Sequence, residues 1–243
     1  MAMVDFPFEV VEASGQHALA TWEELKNAGR GTPVVLGSEI ENFLRACNPA
    51  QRAQLPPVQD IVAVAASINF PNDLVKFRRD ELAAAMAVLG NMTLSISVED
   101  EEYEPPLGEW PAETSDSPGL SVVYDFVTGK PRPRVNIALI PTDDPTTVPA
   151  HLHWGHWNAC PPPAYHVAAL RTWRTRYGAE LIGIGGDTIN LRVSRRPATR
   201  EEAIDLARVQ HAYCNDIIDQ GVGSYRALAG ELMAHDWWYF WWD

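Results

Sequence analysis

Six aromatic residues in succession, Trp237-Trp-Tyr-Phe-Trp-Trp242, stand before Asp243. Successive side chains of a strand point to opposite faces, so an extended run puts Trp237, Tyr239 and Trp241 on one face and Trp238, Phe240 and Trp242 on the other. Such a segment needs apolar cover on both sides, and the expectation is a central strand of a sheet packed on both faces. Trp and Tyr are also the commonest anchors of protein interfaces, which makes Trp241 a candidate binding residue wherever one face is only partly covered. No apolar run in the chain reaches the roughly 18 residues that a membrane span needs, so no membrane partner is expected. Hydrophobic residues at 46% and charged residues at 21% exclude collagen-like, wholly disordered and coiled-coil chains.

Charge narrows the partners. The formal net charge is −13, from 32 Asp and Glu against 19 Lys and Arg. That opposes a phosphate backbone, whose recognition depends on clustered cations, so no nucleic-acid partner is expected. Between Arg79 and Lys130 there is no Lys or Arg at all. The gap holds Glu99-Asp-Glu-Glu-Tyr-Glu104, then Glu109, Glu113 and Asp116 among Pro, Gly and Ser. This acidic loop is either a solvated segment that keeps the chain soluble or a surface that steers a cationic protein partner. Three scattered cysteines, Cys47, Cys160 and Cys214, suit neither a disulfide framework nor a zinc ribbon. The first residues lack a basic segment followed by an apolar one, so no secretory leader is expected and the cytoplasm is the default location.

Thr32–Leu36 reads as a short buried strand closed by Gly37, and Ser38-Glu-Ile-Glu41 reads as a capping box opening a helix to about Cys47. A helix over 73–89, capped by Asn72, would carry Leu74, Phe77, Leu82, Met86 and Leu89 as its apolar stripe. Thr93–Val98 alternates like a half-buried strand, and Leu120–Val127 and Arg134–Ile140 suggest two more. Pro161-Pro-Pro163 leads into a helix from about Ala164 to Tyr177, because proline suits a first turn whose amides lack partners. Glu180–Ile184 and Thr188–Val193 flank Gly185-Gly-Asp187, a hairpin signal. Thr199-Arg-Glu-Glu202 is a second capping box, starting a helix to about Cys214, and a last helix covers roughly 224–234.

The segment His151-Leu-His-Trp-Gly-His-Trp-Asn-Ala-Cys160 holds the densest chemistry. His151, His153, His156 and Cys160 are ligand types that zinc prefers. Their spacing places 151 and 153 on one face of a strand and 156 on the other, so loop histidines packed beside tryptophans are expected and no metal. A nucleophile reading uses Cys160, with the dipole of the following helix against its thiolate, His166 as base and Asn158 to orient a histidine or donate to an oxyanion. Asp216 and Asp219 sit in a glycine-bounded turn, where they either bind a cation or act as acid and base, or cap the next helix. Gly183-Ile-Gly-Gly-Asp187 lacks the Lys and the strand-to-helix setting of a phosphate loop.

The blocks Trp157-Asn-Ala-Cys-Pro-Pro-Pro163, Trp173–Glu180, Arg196–Ala203, Tyr213–Gly223 and the terminal Trp-Tyr-Phe-Trp-Trp-Asp243 together resemble a bacterial family, frequent in actinobacteria, with a C-terminal domain of unknown function ending in Trp-Trp-Asp. The resemblance covers roughly 135–243 and implies no reaction. Asn158, Cys160, Asp216 and Asp219 fall on the family pattern, which centres on Gly-Gly-Trp-Asn-x-Cys-Pro without histidines at 153 and 156. Here Gly155-His156 replaces the second glycine, which weakens a zinc reading further.

These readings converge on an α+β fold with a mixed, mostly antiparallel sheet flanked by helices. Residues 1–134 form an N-terminal α/β region with the acidic loop 99–116, and residues 135–243 form the C-terminal domain. The expected function is a cytoplasmic bacterial protein-binding module, of immunity type, contacting a cationic protein through Trp157, Asp216, Asp219 and Trp241. The alternative is a cysteine-dependent hydrolase or transferase using Cys160, His166 and Asn158. No cofactor is expected.

Overall fold

A computed structural model describes residues 6–38, 40, 55–90 and 104–243. Six strands form one sheet: β1 (Glu9–Ala13), β2 (Thr32–Gly37), β3 (Val135–Ile140), β4 (Glu180–Ile184), β5 (Thr188–Arg192) and β6 (Trp237–Trp241). Their order is β1-β3-β2-β4-β5-β6. Only β2 and β4 run parallel; the other neighbours are antiparallel, so the sheet is mixed and mostly antiparallel as expected. β2 lies between β3 and β4, so strands from both sides of residue 134 share one hydrogen-bonded layer.

Period-two alternation divides the core. Val34, Leu36, Ala138, Ile140, Ile184, Ile189, Leu191, Trp238 and Phe240 face one layer. That layer is closed by α5 (Pro163–Tyr177), α6 (Arg200–Tyr213) and α7 (Tyr225–Ala234). Val35, Val135, Ile137 and Ile182 face the other, beneath Trp22 of α1 (Ala18–Ala28) and Leu120 and Val123 at a 3-10 turn. The Trp22 indole donates to Pro33 O at 2.7 Å, which satisfies its one polar atom in the core. A third cluster packs α2 (Val58–Ser67) against Ala150 of the short α4 (Val148–Leu152) and against α5; α3 (Asn72–Gly90) adds Leu74 and Phe77 to the first layer. No helix among the described residues is long and apolar enough to cross a membrane.

The local signals held where chemistry specific to one position was present. The Thr199 hydroxyl accepts from Glu202 N at 3.1 Å, and the Glu202 carboxylate reaches back to Ala198 N at 2.9 Å, closing the box one residue earlier than the usual pattern. The β4–β5 hairpin turns at Gly185–Asp187. Two expectations need correction. Leu120–Val127 is not a strand: it is a 3-10 turn over Ser121–Val123 followed by a tight loop. Asp125 accepts from both the amide and the hydroxyl of Thr128 at 2.8 Å, a local bond that competes with extended structure and leaves Phe126 and Val127 exposed. Among the described residues β6 is an edge strand, not a central one; Trp238, Phe240 and Trp242 are buried, while Trp237, Tyr239 and Trp241 are only half-buried. The helix expected to run to Cys47, the strand Thr93–Val98 and the acidic cluster Glu99–Tyr103 lie outside the described residues, as do the side chains of Leu82, Met86 and Leu89.

Candidate functional site

The segment linking α4 to α5 is wound tightly. His153, Gly155, His156 and Asn158 all have positive φ, at 50°, 113°, 71° and 45°. Three of these carry side chains, which resist that region, so the surrounding fold holds the loop in a costly shape. Gly155 has a reason to be glycine: a Cβ there would strike Pro161 O and stand 2.7 Å from His166 Nε2. The coil carries His156 N to the carbonyls of Cys160 and Pro161 at 3.2 and 3.0 Å. Pro162 and Pro163 then open α5, with His166 in its first turn.

This winding brings Cys160 and His166 together. The thiol lies 3.5 Å from His166 Nε2, and His166 Nδ1 lies 2.6 Å from the Tyr213 hydroxyl at the end of α6. Either ring nitrogen can carry the proton in this chain. Cys160 is 3% exposed and His166 0%, enclosed by Trp154, Trp242 and Tyr213 rings at 4.9–5.6 Å. Burial drives the Cys160 thiol far above its ordinary value, assisted by Cys214 and opposed by the His156 amide and Arg78. Burial likewise pulls the His166 imidazole down to about 3, against the Pro161 carbonyl. Both groups are therefore neutral near pH 7, a thiol beside an uncharged imidazole rather than a thiolate–imidazolium pair. Arg78 closes the network from α3, donating through Nη2 to Ala159 O at 2.8 Å and Tyr213 O at 2.7 Å.

Asn158 is not part of that chain of bonds. Its amide donates to Asp243 O at 2.9 Å. Asp216 is buried at the start of a π-helical turn (Ile217–Val222), accepting from Asp243 N at 3.0 Å and Gln220 Nε2 at 3.1 Å. Asp219, three residues on, turns away to His211 Nε2 at 3.1 Å and Asn215 Nδ2 at 3.3 Å. Trp241 touches the same turn, since a Cβ at Gly221 would come within 2.9 Å of its ring, and its carbonyl accepts from Cys214 Sγ at 2.8 Å. Trp157 packs edge-on to Trp154 at 4.8 Å, which packs in turn on Trp242 at 5.5 Å. Trp157, Asn158, Asp216 and Trp241 thus meet at one corner of the molecule around Asp243, and Asp219 stands on its rim.

The histidines scatter: His153 reaches Pro56 O at 2.9 Å and His156 faces Glu81 at 3.7 Å. Among the described residues no group of three or more His, Cys, Asp or Glu is placed to hold a metal ion. A cleft of about 310 Å³ opens elsewhere, between Trp22, Lys26, Thr32, Asp143, Arg174 and Glu180, and none of the expected site residues lines it. Sequence reasoning assigned no role to Tyr213 or Arg78. Alternation within the aromatic run placed Tyr239 on one face with Trp237 and Trp241, of which only Trp241 was named for binding; nothing local marks Arg78, which acts 81 and 135 residues away.

The fold and this corner define an α+β domain whose C-terminal strand is sealed by aromatic rings on one side and left half-covered on the other. Residues 136–243 match the family model described as a domain of unknown function (DUF4253). No curated protein and no solved structure matches the chain.

Proposed function

We propose that the chain is a protein-binding module of a bacterial cytoplasm, of the kind that antagonises a cationic protein as an immunity protein does a toxin. One observation carries this reading: among the described residues β6 ends the sheet and presents Trp237, Tyr239 and Trp241 half-buried on one face. Aromatic side chains that bury part of their surface at home and keep the rest available are the usual anchors of interfaces. The net charge of −13 favours a basic partner and speeds its approach. A photo-crosslinking amino acid at Tyr239, introduced in the native cell, is expected to form a polypeptide adduct that the same group at exposed Thr175 does not. Absence of any adduct at Tyr239 overturns the reading.

The alternative, cysteine-dependent transfer chemistry, rests on the 3.5 Å approach of Cys160 to a histidine that Tyr213 orients. It requires the thiol to ionise and to meet substrate, and burial of both groups works against each step.

A further inference from the structure

We infer that β6 receives its partner as an added antiparallel strand, and that this strand carries Arg or Lys at alternate positions facing Tyr239 and Trp241. The inference rests on the protein-binding reading above and deepens it. Its first ground is the direction of the backbone groups. Val193 N bonds Asp236 O at 2.7 Å and Trp242 N bonds Asp187 O at 3.1 Å. Hydrogen-bonded pairs alternate along an antiparallel ladder, so within β6 the residues 238 and 240 also bond inward to β5. The amides and carbonyls of 237, 239 and 241 therefore point away from the sheet. Among the described residues that outer edge takes a single hydrogen bond, from Cys214 Sγ to Trp241 O. An edge with outward groups is a template for another strand.

The second ground is the chemistry of the face beside that edge. Residues directly opposite each other in an antiparallel pair put their side chains on the same face. A strand bonded to 237 and 239, ending where Cys214 already occupies the Trp241 carbonyl, therefore lays its own alternate side chains beside Trp237 and Tyr239, with the Trp241 ring next along the same face. The Tyr239 and Trp241 rings stack at 5.2 Å with planes 20° apart, giving a continuous aromatic surface. The neighbouring ring already shows what it takes: the Arg192 guanidinium lies 6.0 Å from the Trp237 centroid. Among the described residues no cation sits over Tyr239 or Trp241. A carboxylate lies beside the pair: Asp187 acts on the Tyr239 hydroxyl, which burial and that charge push up to about 12. Stacked rings beside a carboxylate, on a chain of net charge −13, favour a guanidinium or ammonium through cation–π attraction and charge.

The full chain, isotopically labelled, tests this with synthetic seven-residue peptides of alternating Thr and Arg. Binding is expected to slow amide exchange at least tenfold at Trp237 and Tyr239, while Trp238, Phe240 and Trp242 change little. In the added strand the Arg residues are those whose own amides face β6. N-methylation of the Arg amides is therefore expected to weaken binding at least tenfold, and N-methylation of the Thr amides to leave it within about twofold. A Glu–Thr peptide should not bind. Equal loss from the two methylated forms, equal binding of the Glu–Thr peptide, or no protection of the Trp237 and Tyr239 amides overturns strand addition. The crosslink at Tyr239 is read independently, so a surviving adduct with failed peptides leaves a binding module that uses a different contact.

Discussion

Cys160 and His166 show how much a single environment decides. Six positions apart and separated by three prolines, they meet because the coil at 153–158 folds back on the start of α5. The sequence named both residues and the helix start but could not show that Trp154, Trp242 and Tyr213 would seal them from water. Asn158, named with them, points instead to Asp243, and Tyr213 takes the orienting position from 47 residues away. The expected outcome is slow reaction of Cys160 with a thiol reagent in the folded protein and fast reaction after unfolding, measured in a Cys47→Ser background. Rapid native labelling with a midpoint well below pH 8 would show a stabilised thiolate and favour the transfer chemistry.

At the scale of elements, the legible features were those set by a few adjacent residues. A Thr hydroxyl three positions before a Glu capped α6, and two glycines turned the β4–β5 hairpin. Replacing Thr199 with Ala is expected to cost about 1 kcal/mol in a urea melt, the usual size of a lost cap. Gly155→Ala should cost more, about 2–4 kcal/mol, because positive φ strain adds to contact with Pro161 O and His166. It should also raise the accessibility of Cys160, which the same thiol assay reads. If Gly155→Ala melts with the native protein, the coil is not the clamp that holds His166. The failed strand at 120–127 belongs here too: its apolar pattern matched a strand, but Asp125 bonded locally with Thr128, and pairing with 130–132 stopped at a single bridge, Tyr124 to Pro131.

For the whole molecule, the buried titratable groups predict a stability maximum near neutral pH. His166 falls from an ordinary 6.5 to about 3 in the folded state, so below pH 6.5 the unfolded chain binds a proton that the folded one refuses. That term is fully favourable above pH 6.5 and is lost on acidification, by about 2 kcal/mol at pH 5. Cys160 is raised, and Cys214 and Tyr239 are raised to about 12. Groups held protonated by folding contribute fully below their unfolded values and lose that contribution as pH rises past about 8.5–10. Urea midpoints should therefore be highest near pH 7.5 and lower at both 5 and 10. In His166→Gln the fall between 7.5 and 5 should shrink by about 2 kcal/mol, and an unchanged acid limb would show that His166 is not held neutral.

The sequence by itself determined the fold class and most element positions, because strand alternation, caps, prolines and turn glycines act over a few neighbouring residues. It also determined that Trp237–Trp242 would be extended with rings on both sides. Only the tertiary structure decided that this strand closes the sheet at an edge. Strand order is a long-range choice: β2 inserts between β3 and β4 although about a hundred residues separate it from β3 in sequence, and no local pattern encodes that neighbour. The same holds for the site. Residue types announced a thiol and an imidazole, but whether either is charged depends on desolvation by rings and on an arginine drawn from distant segments, and that is fixed only when those segments pack.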